Sequence, residues 1–217
     1  MRTAPLLAAL LLLTACPDPA KDKPKAVVTT PAPVTPTAPE GKKPEVAAAF
    51  PFTQADSKIS FVGAKVTGKH EGGFKIFGGI VEVVDGDVTK SRVRAAIDMS
   101  SVYTDNPDLT DHLKSDDFFD TAKFTEASFV STSIAKKDDA FEVTGNLTLH
   151  GVTKGITFPA KITLGADEVS VAADFAINRK DFGIVYAGKP DNLIADNVAL
   201  KLDLHARKKA PVPTPAQ

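Results

Sequence analysis

Four histidines, His70, His112, His150 and His205, and a run of aspartates at Asp105, Asp108, Asp111, Asp116, Asp117 and Asp120 are the side chains in this 217-residue chain best suited to metal or acid–base chemistry. Their spacing does not assemble a site. No two histidines stand two or four residues apart, so a histidine-ligated metal would need all its geometry from the fold. The aspartates could attract calcium, but an EF-hand loop needs a glycine at its sixth position and a closing glutamate, and both are missing. They read instead as the solvated start of a helix. Arg179 and Asp181 sit two apart and can pair to tie a strand end. Gly-x-Ser-x-Gly elbows, phosphate loops and dinucleotide fingerprints are all absent, so hydrolase and nucleotide chemistry lack their residues. The expectation is a protein that is not an enzyme and carries no metal or cofactor.

Cys16 is the chemically distinctive position. Arg2 supplies a positive start, positions 4–13 an apolar run too short to span a bilayer, and Leu13-Thr14-Ala15-Cys16 reads as a bacterial lipobox. Residues 1–15 would then be a lipoprotein signal peptide. Cys16 would become a diacylated N-terminus, and two acyl chains hold a membrane firmly where one is marginal. The other reading is an ordinary secretory signal with a chance cysteine. An anchored chain on the periplasmic side of a bacterial membrane is the expectation. Without a second cysteine no intramolecular disulfide can form, so packing and hydrogen bonds must hold the fold. The Asn146-Leu147-Thr148 sequon is coincidental in such a chain. A net charge of −1, with basic residues not clustered with aromatics, argues against nucleic acid.

Prolines at 17, 19, 24, 31, 33, 36, 39 and 44 suggest that 16–49 is a solvated, partly polyproline-II tether, and 208–217 a disordered tail. Residues 50–207 form one domain. Clean alternation at 93–99, 141–149, 156–164, 169–177 and 198–204 predicts half-buried strands, and 59–66, 74–84 and 124–134 are strand-like but less regular. Turn signals stand at Asp85-Gly86, His150-Gly151 and Gly165-Ala166-Asp167. One short helix is expected over 107–114, with Asn106 as cap, Pro107 first, and Leu109 and Leu113 on one face above Phe118 and Phe119. About eight antiparallel strands and no alternating helices leave an all-β barrel or sandwich. Gly72-Gly73 and Gly78-Gly79 favour an eight-stranded barrel by relieving strain where strands bend.

Phe74 with Gly78-Gly79-Ile80, Asp111-His112-Leu113 with Phe118-Phe119, the run from Gly145 to Lys154, and Arg179-Lys180-Asp181-Phe182-Gly183-Ile184 together resemble the signatures of the YceI-like family. Thr125 stands where members of that family often carry a proline. The resemblance implies a lipocalin-like antiparallel barrel, usually exported, whose apolar tunnel holds a polyisoprenoid, quinone-like or other long-chain amphiphile. The tunnel candidates are Phe61, Phe74, Ile97, Phe129, Phe141, Leu147, Phe158, Ile162, Val171 and Phe175, with His112 and Arg179 as candidates to meet a headgroup. Its partners would be the lipid and, through acylated Cys16, the membrane. The rival readings are a solid-core structural or interaction lipoprotein, in which every one of these residues is plain core, and a metal-assisted enzyme using His112 and the aspartates.

Overall fold

Alternation at period two builds most of the molecule. In the computed structural model, which describes residues 18–33 and 48–208, the strands are β1 (Val27–Thr29), β2 (Ala48–Thr53), β3 (Lys58–Lys65), β4 (Gly68–Phe74), β5 (Phe77–Val84), β6 (Asp87–Asp98), β7 (Val102–Thr104), β8 (Glu126–Lys137), β9 (Ala140–Leu149), β10 (Val152–Leu164), β11 (Glu168–Asn178), a short pair β12 (Gly188–Lys189) and β13 (Asn192–Leu193), and β14 (Asn197–Arg207). The sheet runs β2, β5, β6, β8, β9, β10, β11, β14 in antiparallel order and curls until β2 returns beside β14. β3 pairs with the other stretch of β14 and carries β4 and β7 at that end. The expected all-β barrel is therefore a curled sheet of eight main staves with added short strands.

Two tight hairpins set register where expected. Asp85 and Gly86 (φ 56° and 68°) and His150 and Gly151 (φ 50° and 72°) both hold positive φ at two consecutive positions, the backbone of a type I′ turn whose twist matches that of its strands. Register then places Val143 opposite Phe158 and Phe141 opposite Ala160, so the alternating apolar sets share one face. Phe158 stacks on Phe175 with centroids 4.3 Å apart and planes 9° from parallel, and Phe129 tilts against Phe158 at 5.8 Å. Each such buried ring contributes about 1.5–3 kcal/mol relative to exposure.

Two strand glycines also make room for neighbouring rings. A Cβ on Gly145 would stand 2.4 Å from the Phe129 ring, and one on Gly72 2.5 Å from that of Phe61. These positions let an inward ring lie flat on a neighbouring strand.

Helix α1 (Pro107–Lys114) begins where Asn106 Oδ1 accepts the Leu109 N–H at 3.1 Å. Leu113 and Phe118 pack with Phe61, Val102 and Ile184 into a second apolar cluster, and Phe119 reaches Phe74. The helix thus covers one end of the sheet.

One expectation fails. Residues 18–33 are no solvated tether: Ala20 is fully buried against Ala176 and Ala199, and β1 pairs with β10. The physical reason lies in Val27, Val28 and Thr29, three β-branched residues set between Pro24 and Pro31. The domain also starts earlier than 50, because β2 opens at Ala48. The signal peptide, Cys16, residues 34–47 of the tether and the tail beyond 208 lie outside the described residues.

Candidate binding site

The inward face of the main staves is a continuous apolar wall. Phe158, Val171 and Phe175 are buried in it, while Ile97, Phe129, Phe141, Leu147 and Ile162 pack against the same cluster and stay partly exposed. Phe61 belongs instead to the end cluster beneath α1, and Phe74 touches both. Eight of the ten tunnel candidates therefore share one wall, with Phe74 and Phe61 leading from it to the helix-covered end.

Phe50 and Phe52 join this wall on β2, a strand hidden in the sequence by Pro51 between them. Their alternation was the available signal. Register also brings Lys154 opposite Leu147, on the face shared with Ile156 and Phe158, where it remains half-buried. Two clefts mark the opposite ends of β5. One, of about 520 Å³, is lined by Ile76, Phe77 and Ile97; the other, of about 400 Å³, by Phe50, Val83 and Leu164.

Arg179, one of the two headgroup candidates, is buried and bonded to backbone. It lies in a 3-10 turn (Arg179–Phe182), is 4 % exposed, and spends its donors on backbone carbonyls: Nε to Ala195 at 3.1 Å, and the terminal nitrogens to Ile184 at 2.7 Å and Ile194 at 3.4 Å. Its acidic neighbour is Asp196 at 3.5 Å, not Asp181. Burial lowers its pKa from the ordinary arginine value, with Asp196 opposing that shift. The side chain is a clamp on the returning loop 184–196, because the loop's carbonyls turn inward where water is scarce.

His112 stays at the surface of the helix end. Its Nε2 lies 2.8 Å from Asp117, and its ring meets Phe118 and Tyr186 edge-on at 4.9 and 5.2 Å. The remaining histidines serve local structure. His150 Nδ1 lies 3.2 Å from the Phe182 carbonyl, His70 meets Asp105 at 2.9 Å, and His205 lies between Glu168 and Asp203. The His205 pKa is raised, chiefly by its hydrogen bond to Glu168, and that of Glu168 is lowered by the same bond and by Arg207. Asp105 is likewise held below the ordinary range by His70. Among the described residues no three histidine, aspartate or glutamate side chains converge as a metal would require.

Asn146, the first residue of the coincidental sequon, is tied to the N-terminal segment. Its side chain is buried on the outer face, where Oδ1 accepts the Ala32 N–H at 3.0 Å and Nδ2 donates to the Ala32 carbonyl at 2.7 Å.

A curled sheet with an apolar lumen and one covering helix is a fold that others share, and the model of the YceI-like domain matches residues 50–206. The chain belongs to the YceI-like family. YceI-like relatives include Protein YceI of Salmonella arizonae and of Salmonella newport, each 37% identical over 119 residues covering 52% of this chain and 62% of the relative. The chain thus spans less than two thirds of the length of those curated YceI proteins. Burkholderia cenocepacia BcnA superposes with a TM-score of 0.63 at 26% identity, over 70% of this chain and 98% of that one. A polyisoprenoid binding domain from Saccharophagus degradans superposes at 0.60 with 21% identity, over 75% and 99%, which is a likeness of fold.

Proposed function

We propose that this YceI-like chain is a binding protein that sequesters or carries a polyisoprenoid, quinone-like or other long-chain amphiphile along its apolar interior, and that acylated Cys16 anchors it on the periplasmic side of a bacterial membrane. The observation that carries the reading is the inward wall itself. Ile97, Phe129, Phe141, Leu147 and Ile162 point to the lumen of a curled sheet yet retain solvent exposure, which supports an interior not filled by its own side chains. Family membership and the fold shared with a polyisoprenoid binding domain point the same way. His112 and Lys154, both toward the α1 end, are the polar groups placed to meet a headgroup.

Energetics favour reversible carriage. Each methylene moved out of water gains about 0.8 kcal/mol, but a lipid already in a bilayer gains little by changing one apolar environment for another. Net affinity should be modest and exchange ready.

Native mass spectrometry of the full chain with Cys16→Ser, together with uptake of a fluorescent prenyl probe, tests the cargo. Recovery without any amphiphile and no probe uptake would sink it. The anchor is tested separately: Cys16→Ser should move the protein from the membrane to the soluble fraction.

A further inference from the structure

β10 and β11 are paired over only four positions, Lys161 to Leu164 with Ala172 to Val169, although both strands run on far beyond. Past Ala172 they part, and residues 24–29 occupy the gap. On the β11 side, the Ala26 N–H donates to the Ala176 carbonyl at 2.8 Å and the Ala176 N–H to that of Pro24 at 2.9 Å, a parallel edge. On the other side, β1 runs antiparallel to β10 from Val27 opposite Thr157 to Thr29 opposite Gly155. Ala26 and Val28 turn inward onto the main apolar cluster, while Val27 is 61% exposed. The strap is therefore a stave in the wall of the interior.

Its two ends are fastened on the outer surface. Ala20 packs on Ala176 and Ala199, Lys23 pairs with Asp174, and Asn146 holds both polar groups of Ala32. Gly155 makes the crossing possible: a Cβ there would stand 2.4 Å from Thr29 Oγ1 and 2.7 Å from the Thr30 carbonyl. The fastening is modest. Two small inward side chains and a short ladder must offset the backbone entropy lost by every ordered residue, which is comparable to the net worth of one hydrogen bond. The long hairpins of β8, β9 and β10 carry far more contact than the strap does, and sparse contact marks a segment of low local stability.

We infer that the slot between β10 and β11 is a strand-docking site for the chain's own residues 24–29, and that release of this strap opens a lateral passage into the interior through which a chain-like amphiphile enters. The cargo part rests on the reading above; the docking and release do not.

A thiol reporter tests release without any ligand. Ala173 is the first inward position of β11 beyond its last pair with β10 and is 6% exposed. In the full chain with Cys16→Ser and Ala173→Cys, labelling by a charged maleimide should rise at least tenfold when Val28→Asp or Gly155→Val evicts the strap, and stay unchanged for Val27→Asp. In the parent chain, the amides of Ala26 and Ala176 should exchange with deuterium by local opening, well ahead of those in β8 and β9. Equal labelling in all variants, amide exchange only through global unfolding, or collapse of the sheet in both eviction variants would each overturn the docking site. For the passage, a disulfide between Val27→Cys and Thr157→Cys, directly opposite residues, should slow uptake of a fluorescent prenyl probe at least tenfold until reduced. Equal uptake before and after reduction overturns the passage. Uptake in no form, with the thiol reporter still responding, refutes the lipid reading and leaves the docking site standing.

Discussion

Replacing Arg179 distinguishes a clamp from a ligand contact. In the native chain its guanidinium supplies two well-placed hydrogen bonds, to Ile184 at 2.7 Å and Ala195 at 3.1 Å, a longer one to Ile194, and an ion pair with half-exposed Asp196. Hydrogen bonds from a charged donor contribute about 1.5–3 kcal/mol each, and the pair with Asp196, open to water, about 1 kcal/mol or less. Arg179→Met keeps much of the volume and removes every donor, so part of the gross sum returns as water reaches the loop carbonyls. A loss of about 3–5 kcal/mol is expected, two charged-donor hydrogen bonds at about 1.5–3 kcal/mol each less what water restores. Arg179→Lys keeps the charge but cannot reach diverging carbonyls, and should lose about 2 kcal/mol. Urea unfolding followed by far-ultraviolet circular dichroism measures both, and hydrogen exchange should show the damage centred on 184–196. The clamp argument fails if Arg179→Met unfolds within about 1 kcal/mol of the parent, a result whose meaning would be fixed by a simultaneous loss of probe uptake.

Gly145→Ala should destabilise the fold by about 1–3 kcal/mol, because its Cβ meets both the Phe129 ring and the Val130 carbonyl, and Phe129→Leu in the same chain should recover part of that loss; calorimetry of the single and double variants decides. Asn106→Ala removes the α1 cap and should lower stability by about 1 kcal/mol in the same melts, with the Leu109 amide losing protection. His205 should titrate above the ordinary value of 6.5 in an NMR pH series, and Glu168→Gln should bring it down. The sign follows from linkage: the His205 contribution is complete below 6.5 and fades as pH rises through the raised value, whereas that of Glu168 is present above 4.5 and fades on acidification through its lowered value. A His205 titration at or below 6.5 would contradict this.

What could be read from the chain depended on how local the cause was. Strands such as β9 and β11 announce themselves because alternate residues face one core, and α1 because Asn106, Pro107 and the two leucines lie within one turn or two of each other. β4 was invisible since Gly68 to Phe74 has no apolar alternation; its pairing with β3 and β7 comes from neighbours. Arg179 was misassigned for the same reason: its carbonyl partners sit in a loop whose return path only the fold decides. The inward wall was legible, except that Pro51 concealed Phe50 and Phe52. Density of proline likewise concealed the strap, although Val27-Val28-Thr29 is a β-forming triplet.

The strap also has a place in the order of assembly. A chain is made from its N-terminus, yet Lys25 cannot find Ala176, nor Val28 find Ile156, until β10 and β11 have been synthesised. Contacts of such long sequence separation form slowly, after local hairpins have already collapsed. Among the described strands the earliest made, β1, should therefore be the last to lock, and a nascent barrel would pass through a stage with one seam unsewn.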